Sequence, residues 1–322
     1  MPKALVIHQP GGPSCMQWED VEVGDPGPGA ARIKQTALGA NFVDIYFRSG
    51  LYPHALPFIT GMEGAGVVEA VGKGVKNVKP GDRVVYGGEL GAYAEARLIP
   101  AARLVKIPNG ISDVQAAGMF HRGLTAQALI RQAYRAKKGD TILFHAAAGG
   151  VGLIICQWAK ALGVKVIGTV GSDAKAAIAK KHGCTYPVVY TRENFVAAVH
   201  KITKGRGVPV VYDGIGKDTY PGSLECLAPR GLFLVYGNTS GPIPPVDTTL
   251  MMKRALYMTR FNVYSYAPTP QVLARMAGEL FRMVKSGKIK IEVNQSYALK
   301  DAARAHEDMA ARKTTGSTVL IP

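Results

Sequence analysis

Over roughly the first 120 residues, apolar and polar positions alternate in short runs, "KALVIH", "ARIKQTALGA", "GAGVVEAVG", "DRVVY" and "YAEARLI", joined by Gly/Pro turns such as "GDPGPG" and "VKPGD". Period-two runs bounded by Gly/Pro clusters predict strands, and a set of them predicts a partly closed, mainly β unit. From about residue 125 the period changes. "TILFH" is a strand, and Val151, Ile154, Ile155, Trp158, Ala159 and Leu162 after it fall on one face of a helix. "VKVIGTV", "YPVVY", "VPVVYDGIG" and "GLFLVYGN" follow as strands, with helices expected near 173–182, 193–203 and 217–227. Such alternation predicts βαβ units around a parallel sheet with helices wound onto both faces. "GLFLVYGN" is expected to end that sheet and to offer an edge for pairing with a second copy.

Beyond about residue 262 the alternation stops. Helices are expected near 270–286 and 299–311, with "KIKIEVNQSYAL" between them and "STVLI" last. A tail of about 60 residues is short for a core of its own, so it is expected to return to the first domain. The expected division is 1–124 with 263–322, and 125–262.

The stretch "HAAAGGVG" at 145–152 joins the first predicted strand of the second domain to its helix. It departs from G-x-G-x-x-G only in carrying Ala147 at the first position. A strand before and a helix after are the context in which this motif binds a dinucleotide. Gly149 allows a pyrophosphate close to the backbone, Gly152 allows helix and strand to pack, and the helix N-terminus offers free N–H groups. An NAD site carries an acid at the end of the second strand for the ribose 2′-OH. Here that place holds Val170, Gly171 and Ser172, followed by Lys175, with Tyr190 ending the third strand. These donors suit a 2′-phosphate and predict NADPH. Asp173 is read as a surface residue of the following helix.

Composition narrows the class. The formal charge is +16, with clusters at "YRAKKGD" and "KITKGRG". A field of this sign favours anionic ligands, nucleic acid among them, but no basic motif with interleaved aromatics accompanies it. Cys15, Cys156, Cys184 and Cys226 are isolated, so neither a zinc clip nor a disulfide framework is expected. No apolar run approaches the ~18 residues of a membrane helix. The N-terminal apolar run is too short for a signal peptide, and a cytoplasmic location is expected.

"HAAAGGVGLIICQWAKALG", "NFVDIYFRSGLYP", "GAGVVEAVGKGVKNVKPGDRVVY" and "TTGSTVLIP", in this order, resemble the zinc-independent quinone oxidoreductases. These belong to the medium-chain dehydrogenase/reductase superfamily and include zeta-crystallin. The resemblance covers nearly the whole chain. It implies an α/β protein in which a Rossmann domain, a doubly wound parallel sheet, is inserted into a chaperonin-10-like, mainly β catalytic domain. It also implies NADPH and a homodimer. Asn41 stands where zinc-dependent relatives have a cysteine, and Met62 where they have a histidine, leaving Glu63. Zinc needs three or four protein ligands, and none is expected here. His121 and His145 are read as structural residues.

A quinone takes hydride without a Lewis acid, because the product is aromatic, so positioning supplies much of the rate. Asn41, Tyr46 and Tyr52 are the candidate catalytic residues: an amide and two phenols to line a flat pocket, near the cleft between the domains, and donate to a carbonyl oxygen. The candidate cofactor-binding residues are Asn41, Tyr46, Thr125, Ala148, Gly149, Gly150, Val151, Gly171, Ser172, Lys175, Tyr190, Asn238, Phe261 and Arg312. Of these the resemblance alone places Thr125 near the nicotinamide, Asn238 and Phe261 along the cofactor, and Arg312 as a weaker phosphate contact. Two rivals share or replace this chemistry: reduction of activated C=C bonds in enones or enals, and a nucleic-acid-binding role of zeta-crystallin type.

Overall fold

The computed structural model describes residues 1–322. The chain begins with eight strands: β1 (Lys3–Ile7), β2 (Met16–Asp20), β3 (Ala30–Ala40), β4 (Phe58–Ile59), β5 (Glu63–Val71), β6 (Arg83–Gly87), β7 (Ala96–Pro100) and β8 (Val105–Lys106). Among them lies one α-helix, α1 (Phe42–Arg48), and after them comes α2 (Asp113–Ala128). The middle of the chain alternates β9 (Thr141–Phe144), α3 (Gly150–Leu162), β10 (Lys165–Val170), α4 (Asp173–Lys181), β11 (Tyr186–Val189) and α5 (Phe195–Thr203). It continues with β12 (Val208–Asp213), α6 (Tyr220–Glu225), β13 (Leu227–Val235), α7 (Thr249–Met252) and β14 (Tyr257–Arg260). The last segment holds α8 (Pro270–Lys285), β15 (Val293–Ala298), α9 (Ala302–Ala310) and β16 (Ser317–Ile321).

These elements form two compact units. One comprises Met1–Leu124, Ala267–Lys285 and Ile291–Pro322; the other comprises Thr125–Tyr266 and Ser286–Lys290. The chain therefore re-enters the first unit at 267, four residues after the position expected from sequence, and lends 286–290 to the second.

The first unit is built on a mixed seven-stranded sheet, in which β3 pairs antiparallel with β5, β7 and β16. The long β3 alternates buried and outward residues as its sequence requires. Its core gathers Leu5, Ile33, Leu38, Val84, Tyr86, Tyr93, Ile99 and Leu320. This is the chaperonin-10-like β domain.

The second unit is a six-stranded parallel sheet in the order β11-β10-β9-β12-β13-β14. It is the Rossmann domain. Strand order reverses between β9 and β12, which is where doubly wound sheets bind ligands. The outer edge beyond β13 differs from the sequence expectation: "GLFLVYGN" forms β13 but does not end the sheet, because Tyr257–Arg260 adds β14 in parallel register with Leu232–Val235.

Candidate functional site

In the second unit the turn at 145–152 is built as its spacing requires, with one shift. The residue in the left-handed region is Ala146, at φ 58°, not Ala147 at the first fingerprint position. A Cβ on Gly152 would come within 2.5 Å of the Ala146 carbonyl oxygen and 2.7 Å of the Ala147 carbonyl. Only glycine lets the helix start so close under the turn. Gly149 is the N-cap of α3, and no side chain caps the helix. The N–H groups of the first turn, on Gly150, Val151 and Gly152, therefore remain for a ligand. Ala148 is buried beside them at 4% exposure.

Val170, Gly171 and Ser172, at the end of β10 and just after it, carry no carboxylate, and Asp173 follows as the first residue of α4. Tyr190 lies over Gly171: a Cβ there would meet the tyrosine hydroxyl at 2.9 Å. Tyr190 is exposed, and its own N–H donates to Val170 O at 3.1 Å. Ser172 is the N-cap of α4 and accepts from the Lys175 N–H at 3.3 Å. Lys175 thus starts from the first turn of α4, beside Gly171 and Ser172. Asp173 turns away to an exposed ion pair with Arg192, 2.7 Å apart. Arg192 is a second cation near this corner, and sequence reasoning missed it because its placement depends on the turn after β11.

Farther along the same unit, the Asn238 side-chain amide lies 2.9 Å from both Gly237 O and Arg260 Nη2. Phe261 stacks on Tyr266, with ring centroids 5.1 Å apart. Thr125 is buried in α2. The structure thus groups Gly171, Ser172, Lys175 and Tyr190 at one corner, Ala148–Val151 at the turn, and Asn238 near Arg260.

In the first unit, α1 follows β3 and is short. Asn41 is its N-cap: the Asp44 N–H donates to the Asn41 backbone carbonyl at 3.1 Å, and the Asp44 carboxylate accepts from the Asn41 N–H at 2.7 Å, the side-chain half of a capping box. Tyr46, buried in α1, meets Tyr52 edge-on with centroids 5.2 Å apart, and Tyr52 also packs on Phe47 at 5.6 Å. The Tyr52 N–H donates to Tyr46 O at 3.0 Å, which fixes the turn after the helix. Arg312 is exposed and follows the end of α9, at φ 58°.

Behind Asn41 lies a buried polar network that sequence reasoning missed. Asn41 Nδ2 donates to Glu63 Oε2 at 2.8 Å, and the His121 N–H donates to Glu63 Oε1 at 2.6 Å. Arg122 Nη1 stands 3.6 Å from the same carboxylate, and its other Nη donates to Ala40 O. Burial raises the Glu63 pKa, and Arg122 partly offsets this. Burial pushes Asp44 up to about 7. The signal for Asp44 was present as Asn-x-x-Asp opening a short helix. No group of three or more His, Cys, Asp or Glu side chains assembles as a metal site.

The chain matches two family models: "Alcohol dehydrogenase GroES-like domain" over residues 27–109 and "Zinc-binding dehydrogenase" over residues 150–278. It is 51% identical to the quinone oxidoreductase of Pseudomonas aeruginosa, over the whole of both chains. It is 44% identical to a 2-haloacrylate reductase from a Burkholderia species, covering all of this chain and 99% of that one. Among solved structures, Escherichia coli quinone oxidoreductase complexed with NADPH superposes with a TM-score of 0.98 at 45% identity, over 99% of this chain and 100% of that one.

Proposed function

The chain belongs to the quinone oxidoreductases of the medium-chain dehydrogenase/reductase superfamily, and from that footing we propose that it reduces a quinone with NADPH and without a metal. The observation that carries this reading is the corner at the end of β10. Its carboxylate, Asp173, is paired with Arg192 at 2.7 Å, and Gly171, Ser172, Lys175 and Tyr190 lie at the same corner. This donor set fits a 2′-phosphate, with Arg192 neutralising Asp173 beside it. The uncapped first turn of α3 fits a pyrophosphate.

NADPH, when bound, supplies the hydride. The residues of this chain bind and orient. Ala148, Gly149, Gly150 and Val151 present backbone to the pyrophosphate, and Lys175, Ser172 and Tyr190 hold the 2′-phosphate. Thr125, Asn238 and Phe261 are further candidate cofactor contacts of the second unit; the candidates of the first unit are Asn41, Tyr46 and, as a lesser phosphate contact, Arg312. Tyr46 and Tyr52 present a phenol face and edge to a flat ring, and a phenol O–H donates to the quinone oxygen as negative charge develops there. Net reduction takes up one hydride and one proton per two-electron step, and the proton comes from water.

A second reading, reduction of an activated C=C bond, is supported by the likeness to the 2-haloacrylate reductase. Steady-state NADPH oxidation against a panel of quinones, enones and haloacrylates decides between them. Turnover confined to the unsaturated acids and enones would overturn the quinone reading.

A homodimer is supported by the open edge of β14, where Tyr257 is exposed, and by exposed Leu250 and Met252 of α7 in the same unit. Four free cysteines suit a cytoplasmic location. No helix is long and apolar enough to cross a membrane.

A further inference from the structure

His145 opens the glycine turn, is fully buried, and has no part in the chemistry above. Its two ring nitrogens are both engaged. Nδ1 lies 2.9 Å from Thr169 Oγ1 on β10, and Nε2 lies 3.0 Å from Ser223 Oγ on α6. Ser223 has a single hydroxyl hydrogen, and it is directed at Asp213 Oδ2, 3.1 Å away. Ser223 must therefore accept from His145, which fixes the imidazole as the Nε2–H tautomer. Nδ1 is then an acceptor and takes the Thr169 hydroxyl hydrogen. That leaves Thr169 Oγ1 to accept, and the Ala146 N–H lies 3.4 Å from it. The donors run head to tail: Ala146 N–H to Thr169, Thr169 to His145, His145 to Ser223, Ser223 to Asp213.

The carboxylate at the end of the series is held firmly. Asp213 also accepts from Thr219 Oγ1 at 2.7 Å and from the N–H groups of Ile215 and Gly216 at 2.7 and 3.0 Å. Burial lowers the His145 pKa, in keeping with a neutral ring. At the other end of the series stands Ala146, the residue of the turn that a side chain makes costly to hold at positive φ. The Ala147 N–H donates to Thr169 O at 3.0 Å, so Thr169 grips the turn at two successive amides.

We propose that His145 is a positioning residue for the cofactor turn: it locks Thr169, and through Thr169 holds Ala146 in the left-handed conformation that aims the α3 N-terminus at the pyrophosphate. This rests on the reading that the turn binds NADPH. The same geometry explains why an imidazole sits at this place. Few side chains can accept at one end and donate at the other, inside a core, without carrying charge.

The test is a fluorescence titration of NADPH into four proteins: wild type, His145→Ala, His145→Gln and the double variant His145→Ala with Ala146→Gly. The melting temperature is recorded for each. His145→Ala is expected to weaken NADPH binding about tenfold and to raise the KM for NADPH while kcat at saturating cofactor changes little. Gln accepts and donates as this tautomer does, so His145→Gln should bind better than His145→Ala. Glycine removes the conformational cost, so Ala146→Gly should restore most of the binding without restoring the melting temperature. Wild-type affinity in His145→Ala, with only the melting temperature lowered, would overturn the inference. Should that variant not fold, Ser223→Ala takes its place, and wild-type affinity there has the same force. Absence of NADPH binding by the wild-type protein would overturn the proposed function, and this inference with it.

Discussion

Asn41 Nδ2 donates to Glu63 Oε2 at 2.8 Å, with both residues buried, so the amide at the start of α1 is held by a carboxylate rather than by solvent. These are the positions where zinc-dependent relatives are expected to place a metal ligand and its neighbouring glutamate. Here the carboxylate has Arg122 for a counter-charge, 3.6 Å away. Glu63→Gln keeps the shape but leaves the Arg122 guanidinium buried without its carboxylate. Breaking one side of a buried ion pair costs about 3–5 kcal/mol. Urea denaturation should show a loss of that size, and an unchanged midpoint would mean that Arg122 finds equivalent partners among backbone carbonyls such as Ala40 O.

The glycine turn makes a graded prediction. A Cβ at Gly152 would overlap the Ala146 and Ala147 carbonyls at 2.5–2.7 Å, whereas one at Gly149 would meet only Ala146 O, at 3.2 Å. Backbone atoms on both sides cannot swing away as a side chain would. Gly152→Ala should abolish NADPH binding or folding of the second unit, and Gly149→Ala should weaken binding without loss of fold. Isothermal titration with circular dichroism on both variants checks this; the reverse order of severity would contradict the geometry.

Lys175 begins the first turn of α4, next to Gly171 and Ser172. A hydrogen bond from a charged group to phosphate is worth roughly 1.5–3 kcal/mol. Lys175→Ala should raise the KM for NADPH about tenfold or more and leave that for NADH nearly unchanged. Equal effects on the two cofactors would remove Lys175 from the 2′-phosphate.

What the sequence disclosed and what it hid follow from the length and environment of each element. The long strands β3 and β5 are legible because each alternates over many residues, and the glycine turn because its spacing is local. Helix α1 is not: seven residues rich in Phe, Val, Ile and Tyr carry strand-like propensity, and only the capping box marks it. Helix α2 is buried along nearly all of Ala116–Ala128 and so lacks the polar face that gives a helix its period. β14 is four residues, "YMTR", too short for any pattern, so the sequence places the end of the sheet one strand early. Among the proposed cofactor residues, Lys175 and Tyr190 are visible from their offset to the turn. Thr169, Asp213 and Ser223 are not, because only the tertiary fold brings them to His145.

Tyr52 separates a substrate role from a packing role. Its ring sits edge-on to Tyr46 and Phe47, half-buried, after α1. Tyr52→Ala should impair quinone turnover and leave NADPH affinity nearly intact if the phenol serves the substrate. A residue that only packs would instead lower stability, by up to about 3–5 kcal/mol for a buried aromatic, with normal kinetics. Quinone kinetics, cofactor titration and thermal unfolding on one preparation distinguish the two results.

The buried titratable groups set how stability should depend on pH, and they pull in opposite directions. Burial, with Arg48 adding to it, lowers His306 to about 3; burial also lowers His145; and half-buried His121 is lowered to about 4 by desolvation and Arg122. Unfolded, each histidine takes a proton near pH 6.5. Below that value the unfolded chain binds more protons than the folded one, so stability falls as pH drops from about 6.5 towards 4. Asp44 acts against this. Its carboxyl titrates at about 7 when folded, against an ordinary aspartate value of 3.8 for the unfolded chain, so between those values the folded protein holds a proton that the unfolded chain releases. Its burial therefore costs stability above pH 7, and the cost fades on acidification. Asp44→Asn removes that opposing slope. The melting temperature of wild type should decline from about pH 6.5 to about pH 4.5, and the decline should be steeper in Asp44→Asn, whatever the variant's absolute stability at neutral pH. Parallel slopes in the two proteins would show that Asp44 stays ionised over this range, held by the Asn41 N–H and the Tyr93 hydroxyl, which donate to its Oδ2 at 2.7 and 3.1 Å.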